Sequence, residues 1–460
     1  MAIFLQNTLG REMVEFVPIV DGKVGIYTCG LTVYGRGHVG NFRAFIFADV
    51  LRRMFEASNY AVTHVINITD VGHLVGDGDE GEDKMEVTSK KTGETAWDIA
   101  AKFTQLYHDD ARKLNLLVPH VEPKATDHIA EQIALVEKME ANGFTYLTTD
   151  GVYFDTSKLA DYGKLSGQKL DEKEDGARVA VNTEKRNSSD FALWKFSMTD
   201  AQRQMEWESP WGKGFPGWHL ECSAMSEKYL GVPFDVHTGG VDHIAVHHEN
   251  EIAQTAAANG VMEANYWMHN EFMLIDGGKM SKSLGNVYNL DDLAAHDIDA
   301  LAFRYFVLGA HYRTQLNFTF DAVTAAQNAL NKLVDTVRTW DKPSTPDAAR
   351  VTAFMERAQD DLDTAAGLAM LWDVVHDAAL PTDVKAATVL AFDDVLGLAL
   401  EDVVARPVRM SDEAQKLIDA RQTARDAKDW TQSDALRDQI ATLGYRVEDT
   451  AEGQRIRERR

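Results

Sequence analysis

The sequence predicts an α/β fold in which a doubly wound parallel sheet contains a strand-rich insert and is followed by a helical bundle and a small C-terminal domain. Strand and helix patterns alternate from Gly25 to about Glu122 and resume from Trp218 to His269, and helical periodicity dominates from about Phe320 onward. Alternation of this kind is typical of parallel sheets covered by helices. The 460 residues, of which 45% are apolar, suffice for two to four domains.

The first strand and helix of this pattern are the clearest. An apolar run, Val24–Cys29, reads as a buried strand, and the periodic stretch Asn41–Ala57 reads as the helix that follows it. This junction is Rossmann-like, and the active site of such a fold lies where its two halves meet. A further helix is predicted at Thr126–Asn142. The insert is predicted to contain strands at Gly151–Phe154, Arg178–Val181 and Phe191–Trp194.

The C-terminal part is predicted to be helical. Ala-rich amphipathic patterns predict bundle helices at Phe320–Trp340, Val351–His376 and Val384–Ala399. The segment Asp341–Pro346 contains two prolines and separates the first two of them. A last compact unit is predicted to contain helices at Ser411–Lys428 and Thr431–Leu443.

Two short segments point to a nucleotide site. His38-Val-Gly-Asn41 stands at the strand-to-helix junction, where helix N–H groups favour phosphate and Gly40 allows close approach of a polyanion. Lys279-Met-Ser-Lys-Ser283 follows a Gly-Gly turn and carries two cations, Lys279 and Lys282, that suit a leaving pyrophosphate. Together these segments indicate an ATP site that makes adenylates.

The chain contains only two cysteines, which fits a reduced, cytosolic protein better than a disulfide framework. Cys29 ends the first strand, and Cys222 lies in an aromatic-rich turn that enters a helix. Downstream, His247 and Glu251 are spaced i, i+4 and share one helix face, although His248 with Glu251 at i, i+3 is a geometric alternative. Two thiolates, one imidazole and one carboxylate form a zinc ligand set.

These motifs carry a family resemblance. The chain resembles class I aminoacyl-tRNA synthetases, whose hallmark motifs usually read HIGH and KMSKS, with Asn41 here in place of the second histidine. Over nearly its whole length it is similar to the cysteinyl-tRNA synthetases. The matching segments include Asn67–Asp70, Asp161–Ser166, Lys185–Asn187, Trp194–Lys195, Ser209–Gly212, Ser281–Asn286 and Val447–Thr450.

The resemblance implies roles for individual residues. One zinc ion per chain is expected at Cys29, Cys222, His247 and Glu251. The catalytic residues are expected to be His38, Gly40, Asn41, Lys279 and Lys282. ATP, with Mg²⁺, is expected to contact His38, Asn41, Gly240, Asp242, Lys279, Ser281, Lys282 and Ser283. Cysteine is expected to contact Gly30, Thr32, Thr69, Trp218 and His237.

The resemblance also implies a division into domains. We expect residues 1–126 and 208–270 to form the two halves of the catalytic domain and residues 127–207 to form an inserted connective subdomain. Residues 271–319 should contain the KMSKS loop and contact the tRNA stem. The helical bundle is expected at 320–405, and the anticodon-recognition domain at 406–460.

The implied reaction is activation of cysteine with ATP to cysteinyl-adenylate, followed by transfer to the 3′ end of tRNA(Cys). Zinc explains the selectivity, because a pocket that reads shape alone gains only about 1 to 3 kcal/mol from so small a change as sulfur to oxygen. A soft thiolate on zinc gains more, so no editing domain is needed.

Two alternative functions remain open: a ligase that passes cysteine to an amino sugar, and a non-catalytic paralogue that binds tRNA.

Asn41 cannot carry charge, so Arg36, Arg43 or the lysine loop, Lys279–Ser283, could supply the electrostatic stabilisation that a second histidine would give. The acidic stretch Gly76–Lys84 reads as a solvated turn with no assigned function.

Charge and hydropathy bound the partners and the location. A formal charge of −25 opposes long-range docking of a polyanion, although Met410–Arg460, with 10 basic and 11 acidic residues, has a net charge of only −1. No apolar run is long enough to span a bilayer. We therefore expect a cytoplasmic monomer whose partners are tRNA, cysteine and ATP, with no DNA and no membrane.

Overall fold

The computed structural model of the chain describes residues 2–72, 74, 83–167, 184–197, 203–281, 284–407, 410–450 and 453–458. The predicted strand Arg178–Val181, Lys282, Ser283 and most of the acidic stretch lie outside these residues. Within them, no helix combines the length and the apolarity that a bilayer crossing requires.

A parallel sheet forms the centre of the catalytic part. The elements of its first half are β1 (Phe4–Asn7), β2 (Glu12–Glu15), β3 (Lys23–Thr28), α1 (Val39–Ala57), β4 (Ala61–Ile66), α2 (Lys84–Thr92) and α3 (Ala96–Lys113). The expected insert, residues 127–207, then contributes α4 (Ile129–Ala141), β5 (Thr145–Leu147), β6 (Gly151–Phe154) and β7 (Phe191–Phe196), and β8 (Gly214–Pro216) follows beyond its expected end. The second half has α5 (Trp218–Leu230), β9 (Phe234–Gly240), α6 (His247–Asn259) and β10 (Ala264–Asn270).

The strand order of the parallel sheet locates the site. The sheet runs β10-β9-β3-β4, so β3 from the first half lies beside β9 from the second. In an open α/β sheet, ligands bind beyond the carboxyl ends of the strands at the point where the order reverses. A separate antiparallel sheet has the order β5-β6-β7-β8, in which the predicted strands at Gly151–Phe154 and Phe191–Trp194 are present and β8 pairs with β7 from beyond residue 207.

The remaining elements connect the sheet to the helical part. They are β11 (Met273–Ile275), β12 (Gly278–Lys279), α7 (Leu290–Ala295), α8 (Ala300–Leu308) and β13 (Leu316–Phe318). The bundle follows with α9 (Phe320–Arg338), α10 (Ala348–Ala358), α11 (Thr364–His376) and α12 (Thr382–Leu396). The last unit has α13 (Asp412–Asp426), α14 (Trp430–Thr442), β14 (Tyr445–Thr450) and β15 (Gly453–Glu458).

One predicted helix, Val351–His376, is in fact two. The break contains Asp361 and Leu362, whose φ angles are 55° and 60°, a left-handed conformation that ends a helix. Tertiary contacts hold the break in place, since the Asp361 carboxylate accepts hydrogen bonds from the Tyr312 hydroxyl at 2.6 Å and the Gln6 N–H at 2.9 Å. The single-helix prediction was therefore wrong at a point that local sequence does not mark.

The C-terminal unit has a small core of its own, made of Ile418, Ile440 and Val447. Its hairpin, β14–β15, contacts α9 and the start of α8 through ion pairs. The pairs are Arg457–Asp335 at 2.7 Å, Arg455–Asp335 at 3.5 Å, Arg338–Glu458 at 2.5 Å and Arg446–Asp299 at 3.4 Å. Two arginines of β15, Arg455 and Arg457, are thus paired with an acid on α9.

Arg304 on α8 joins the catalytic part to the bundle. Its guanidinium is fully buried and donates to the Asp49 carboxylate on α1 at 2.6 Å and to the Leu396 carbonyl at the end of α12 at 2.8 Å. It also donates to the carbonyls of Leu114 and Asn115 at 3.1 and 3.3 Å. One side chain therefore satisfies acceptors from three separate segments.

Replacing Arg304 with methionine should lower the free energy of unfolding by about 3 kcal/mol, because a buried carboxylate loses a partner and buried carbonyls lose their donors. Urea unfolding followed by circular dichroism measures the loss. The control is Arg357→Met on α10, an exposed position where we expect a change within about 0.5 kcal/mol. A loss below about 1 kcal/mol for Arg304→Met would contradict the assigned role.

Candidate active site and metal centre

Two thiols, several imidazoles and a carboxylate meet at the ends of β3 and β9. Cys29 follows β3, Cys222 lies on α5, and His247 and Glu251 lie one turn apart on α6. The two sulfur atoms are 3.8 Å apart, the Cys29 sulfur lies 3.7 Å from Glu251 Oε1, and His247 Nε2 lies 3.0 Å from the same oxygen. The sheet therefore brings together all four residues of the predicted ligand set, and they lie at the predicted switch point.

Two of these distances, 3.8 Å between the sulfur atoms and 3.7 Å from the Cys29 sulfur to Glu251 Oε1, fit a zinc ion. With metal–ligand bonds of about 2.0 to 2.3 Å, tetrahedral ligands lie about 3.3 to 3.8 Å from one another. One ligand atom from each of the four residues lies within 4.8 Å of all the others. Both cysteines are free thiols, so neither is consumed by a disulfide. The chemistry of the donors, two soft and two borderline or hard, also suits zinc.

Electrostatics favours the charged form of two donors. A hydrogen bond with Cys29 lowers the pKa of the Cys222 thiol, whereas burial raises the pKa of Cys29. Burial opposes ionisation of Glu251, but the imidazoles of His237 and His247 outweigh it and hold the pKa of the carboxyl well below its ordinary value. Anionic donors are what a cation needs, because ligands bind in their deprotonated form.

A second possible metal-binding group shares Cys29 and Glu251 with the first. Ligand atoms of Cys29 and Glu251 also lie within 4.8 Å of ring nitrogens of His237 and His248. His248 is therefore close enough to be a metal ligand, as the i, i+3 alternative expected. His248 Nε2 lies 3.4 Å from the Cys29 sulfur, while its Nδ1 lies 2.8 Å from His269 Nε2. Each ring nitrogen of His248 thus has a partner, the Cys29 sulfur for Nε2 and His269 for Nδ1. His247 stands nearer to Cys222 and Glu251, and the first group contains both thiols.

The residues predicted to contact cysteine surround this cluster. The backbone of Thr32 pairs with that of Thr69 in an isolated β-bridge. The Thr69 hydroxyl accepts a hydrogen bond from the Asn67 side-chain amide at 2.9 Å. Trp218 begins α5, with its ring centroid 5.1 Å from that of His247. A side chain at Gly30 would collide with the Asn67 carbonyl, 1.5 Å from the position of a Cβ.

His237 is fully buried in the same region. Its Nε2 lies 2.9 Å from Glu251 Oε2, and its ring stacks on Trp267 with centroids 4.5 Å apart. Within the described residues, His237 Nδ1 has no hydrogen-bond partner although it is buried. A buried polar atom of this kind is costly unless a ligand or water satisfies it.

His38 and Asn41 form a capping box at the start of α1. The Asn41 N–H donates to His38 Nδ1 at 3.3 Å, and the His38 N–H donates to Asn41 Oδ1 at 3.1 Å. Because Nδ1 accepts, the proton of the neutral imidazole resides on Nε2, the atom that can donate to a phosphate. The backbone N–H of residue 41 therefore fixes the tautomer of His38, while the Asn41 side chain caps the His38 N–H.

The KMSKS segment meets the first motif directly. The Met280 methyl lies 3.3 Å from the Cβ position of Gly40. Asn286 braces the base of the loop, accepting from the Ser281 N–H at 2.8 Å and donating to the Lys279 carbonyl at 3.1 Å. The Lys279 side chain is exposed on β12, while the predicted roles of Lys282 and Ser283 fall outside the described residues.

The predicted ribose contacts lie at the end of β9. Gly240 is the last residue of the strand, and Asp242 is an exposed residue of the short turn Val241–His243 that follows. A side chain at Gly240 would approach the Asp242 carboxylate to 2.3 Å. Gly240 thus keeps the carboxylate close to the backbone at the edge of the crevice.

Both arginines proposed to compensate for Asn41 have other partners. Arg43 is buried and donates to the carbonyls of Phe272, Tyr312 and Thr314. Arg36 forms ion pairs with Asp110 and Asp291.

The sequence did not indicate a site role for Asn67, whose Oδ1 accepts from the Gly30 N–H at 2.8 Å and whose amide donates to Thr69. A polar residue that immediately follows an apolar strand was the available signal.

Two family models match the sequence. The sequence matches the family model described as the tRNA synthetases class I (C) catalytic domain over residues 15–328. It also matches the cysteinyl-tRNA ligase anticodon binding domain over residues 408–457. The two matches fall on the part that contains the parallel sheet and on the last compact unit.

Curated relatives extend the match to the full length. A cysteine–tRNA ligase of Burkholderia lata is 50% identical over 457 residues, which cover 99% of this chain and 97% of that protein. A cysteine–tRNA ligase of Thermus thermophilus is 41% identical over 483 residues and covers 99% of each chain.

Solved structures confirm the α/β fold class. Mycobacterium tuberculosis methionyl-tRNA synthetase in complex with methionyl-adenylate has a TM-score of 0.54 at 16% identity and covers 83% of this chain and 91% of its own. A leucyl-tRNA synthetase of Agrobacterium radiobacter K84, in a ternary complex, has a TM-score of 0.57 at 12% identity, with coverages of 86% and 88%.

Proposed function

The chain belongs to the cysteine–tRNA ligase family of class I aminoacyl-tRNA synthetases, and we propose how its own residues carry out the ligation of cysteine to tRNA. Cys29, Cys222, His247 and Glu251 hold a zinc ion. When bound, zinc supplies a soft Lewis acid that prefers the substrate thiolate to a neutral hydroxyl. The observation that carries the proposal is the meeting of four suitable donors within 4.8 Å at the switch point.

The pocket around these donors orients the amino acid. Thr32 and Thr69 pair through their backbones next to Cys29 and Asn67 and can offer hydroxyl groups to the amino acid, and Trp218 adds an aromatic ring beside His247. His237 has an unsatisfied buried Nδ1, which is available to a polar group of the substrate. Burial of the cluster excludes water, which strengthens each of these interactions.

Adenylate formation uses the two motifs. The amino-acid carboxylate attacks the α-phosphorus of ATP, and pyrophosphate leaves. His38, with its proton on Nε2, donates to the phosphate at the N-terminal end of α1, where helix N–H groups also favour negative charge. Lys279 and Lys282 compensate the charge that grows on the leaving pyrophosphate, and Asp242 accepts from the ribose hydroxyls. Mg²⁺ accompanies ATP as part of the substrate.

A hydroxyl of the terminal ribose of tRNA(Cys) then attacks the carbonyl of the cysteinyl-adenylate, the bond to phosphate breaks and AMP leaves. The unit that matches the anticodon binding domain recognises the anticodon. This unit is close to neutral, whereas the rest of the chain carries nearly all of the −25 charge. The unit therefore repels the tRNA polyanion less than the rest of the chain does. We propose that the protein acts as a cytoplasmic monomer.

The testing experiment is cysteine-dependent exchange of pyrophosphate into ATP, with serine as the control substrate and metal content measured in parallel. We expect exchange with cysteine, at least about 100-fold less with serine, and about one zinc ion per chain. Removal of zinc with a chelator should abolish exchange, and re-addition should restore it. Equal exchange with both amino acids, or full activity without metal, would refute the proposal.

The amino-sugar ligase is the second candidate, because it would use a similar activation core. The match to the anticodon binding domain at residues 408–457 favours tRNA as the acceptor. Transfer of radiolabelled cysteine, offered tRNA in one reaction and an amino sugar in another, separates the two candidates. The intact ligand set and motifs weigh against a non-catalytic paralogue, which would show no exchange at all.

A further inference from the structure

Arg36 lies two residues before His38 and bridges two helices that are distant in sequence. Its Nε and Nη2 donate to the Asp110 carboxylate on α3 at 3.0 and 2.9 Å. The opposite edge of the guanidinium pairs with Asp291 on α7, with Nη2 donating to Oδ1 at 3.0 Å. The planar fork of arginine suits such simultaneous pairing with two carboxylates.

The two partners differ in exposure. The Asp110 side chain is 0% exposed and that of Arg36 is 18%, whereas that of Asp291 is 63% exposed. Lys113 adds a contact to each acid, at 3.1 Å from Asp110 and 3.8 Å from Asp291. Asp110 is therefore a fixed anchor for Arg36, and Asp291 is the end of the bridge that can be released.

Asp291 is tied to the KMSKS segment. It lies in the first turn of α7, which begins shortly after Asn286 braces the base of the lysine loop. The intervening segment has a second tether, because the Val39 N–H at the start of α1 donates to the Tyr288 carbonyl at 2.9 Å. Two contacts, Arg36–Asp291 and Val39–Tyr288, thus fasten the segment that follows the KMSKS motif to the region around His38.

We propose that Arg36 and Asp291 form a latch that holds the segment Lys279–Ser281 beside the His38 motif, which makes Arg36 a positioning residue for adenylate formation. The inference rests on the proposed function. It assigns Arg36 a role different from phosphate binding, because both edges of its guanidinium already face carboxylates. The paired state is mutually reinforced, since Asp110 raises the pKa of Arg36 and Arg36 lowers that of Asp291.

The test is the Asp291→Asn variant in cysteine-dependent pyrophosphate exchange. Asp291 is exposed, so the variant should fold, and the thermal midpoint, zinc content and KM for cysteine should stay unchanged. Because an exposed ion pair is weak, we expect kcat to fall about two- to five-fold. The matched control is Asp109→Asn, which removes one charge from α3, pairs with Arg112 rather than Arg36, and should match the wild type.

A double-mutant cycle completes the test. Arg36→Met should lower kcat at least as much as Asp291→Asn and also lower the thermal midpoint, because Asp110 stays buried with one partner fewer. The double variant should have the kcat of Arg36→Met, since the latch is already absent. The deficit of Asp291→Asn relative to the wild type should also shrink as salt rises from about 0.05 to 0.5 M, because salt screens the exposed pair.

Three results would overturn the latch: a kcat for Asp291→Asn equal to the wild type, additive losses in the double variant, or tighter ATP binding once Asp291 is removed. The last result would mean that Arg36 binds phosphate when released. If the wild type itself showed no cysteine-dependent exchange, the proposed function would fail instead, so the two failures are distinguishable.

Discussion

We expect the Cys222→Ser variant to lose bound zinc and at least about 100-fold of the cysteine-dependent exchange activity. The Cys222 sulfur lies 3.8 Å from that of Cys29 in a buried cluster, and the Cys29 hydrogen bond favours its thiolate form. A serine oxygen in its place is a harder donor that remains protonated at neutral pH, so it binds zinc weakly. Mass spectrometry of the metal content and exchange with cysteine and serine measure the effect.

The matched control for this variant is Met225→Leu. Met225 lies one turn further along the same helix and is equally buried, but it donates nothing to the cluster. A volume-conserving substitution there tests whether disturbance of α5 alone releases the metal. We expect zinc retention and near wild-type exchange. If Cys222→Ser kept one zinc per chain and its preference for cysteine over serine, the ligand assignment would be wrong.

The second large effect is expected at Lys279. Its exposed ammonium group stands on β12 at the base of a loop that contacts Gly40 through Met280. Replacement with alanine removes a cation that acts on charge developing in the transition state, and loss of one such group costs about 10²- to 10³-fold in kcat. The KM for cysteine and the zinc content should not change, because neither depends on this loop.

Rapid-quench measurement of adenylate formation isolates the affected step. Lys342→Ala is the control, because Lys342 is an exposed lysine in the segment between α9 and α10 and its replacement removes the same charge far from the site. Loss of zinc in Lys279→Ala, or an increase in the KM for cysteine with an unchanged kcat, would contradict the assigned role. The Cys222 and Lys279 variants together separate selection of the substrate from activation of it.

The sequence pattern was sufficient to predict the parallel sheet, whereas the resemblance to cysteinyl-tRNA synthetases implied which four donors gather beside it. Apolar strands, glycine-rich turns and short helical spacings are local signals, and the carboxyl ends of adjacent parallel strands necessarily meet at one edge. The family matches confirm the fold and the ligase function, whereas the roles of single site residues stay predictions.

What the sequence could not predict depends on long-range partners. The sequence did not indicate that the Asn41 side chain accepts from the His38 N–H, a contact that depends on the helix start; the expected contact of Asn41 with ATP stays a prediction. Arg36 and Arg43 carry charges that look available until the fold supplies their acceptors. The break at Asp361 and Leu362 has no glycine or proline to announce it, because a distant tyrosine and the first strand stabilise it.

The pairing of the terminal hairpin with α9 gives the end of the chain a mechanical role. Arg455 and Arg457 both face Asp335, and Glu458 faces Arg338, so β15 acts as a strut between the anticodon-binding unit and the bundle. Truncation before Gly453 would leave Asp335 without its two counter-charges and leave β14 unpaired. Any affinity tag is therefore better fused to the N-terminus, where it leaves this strut intact.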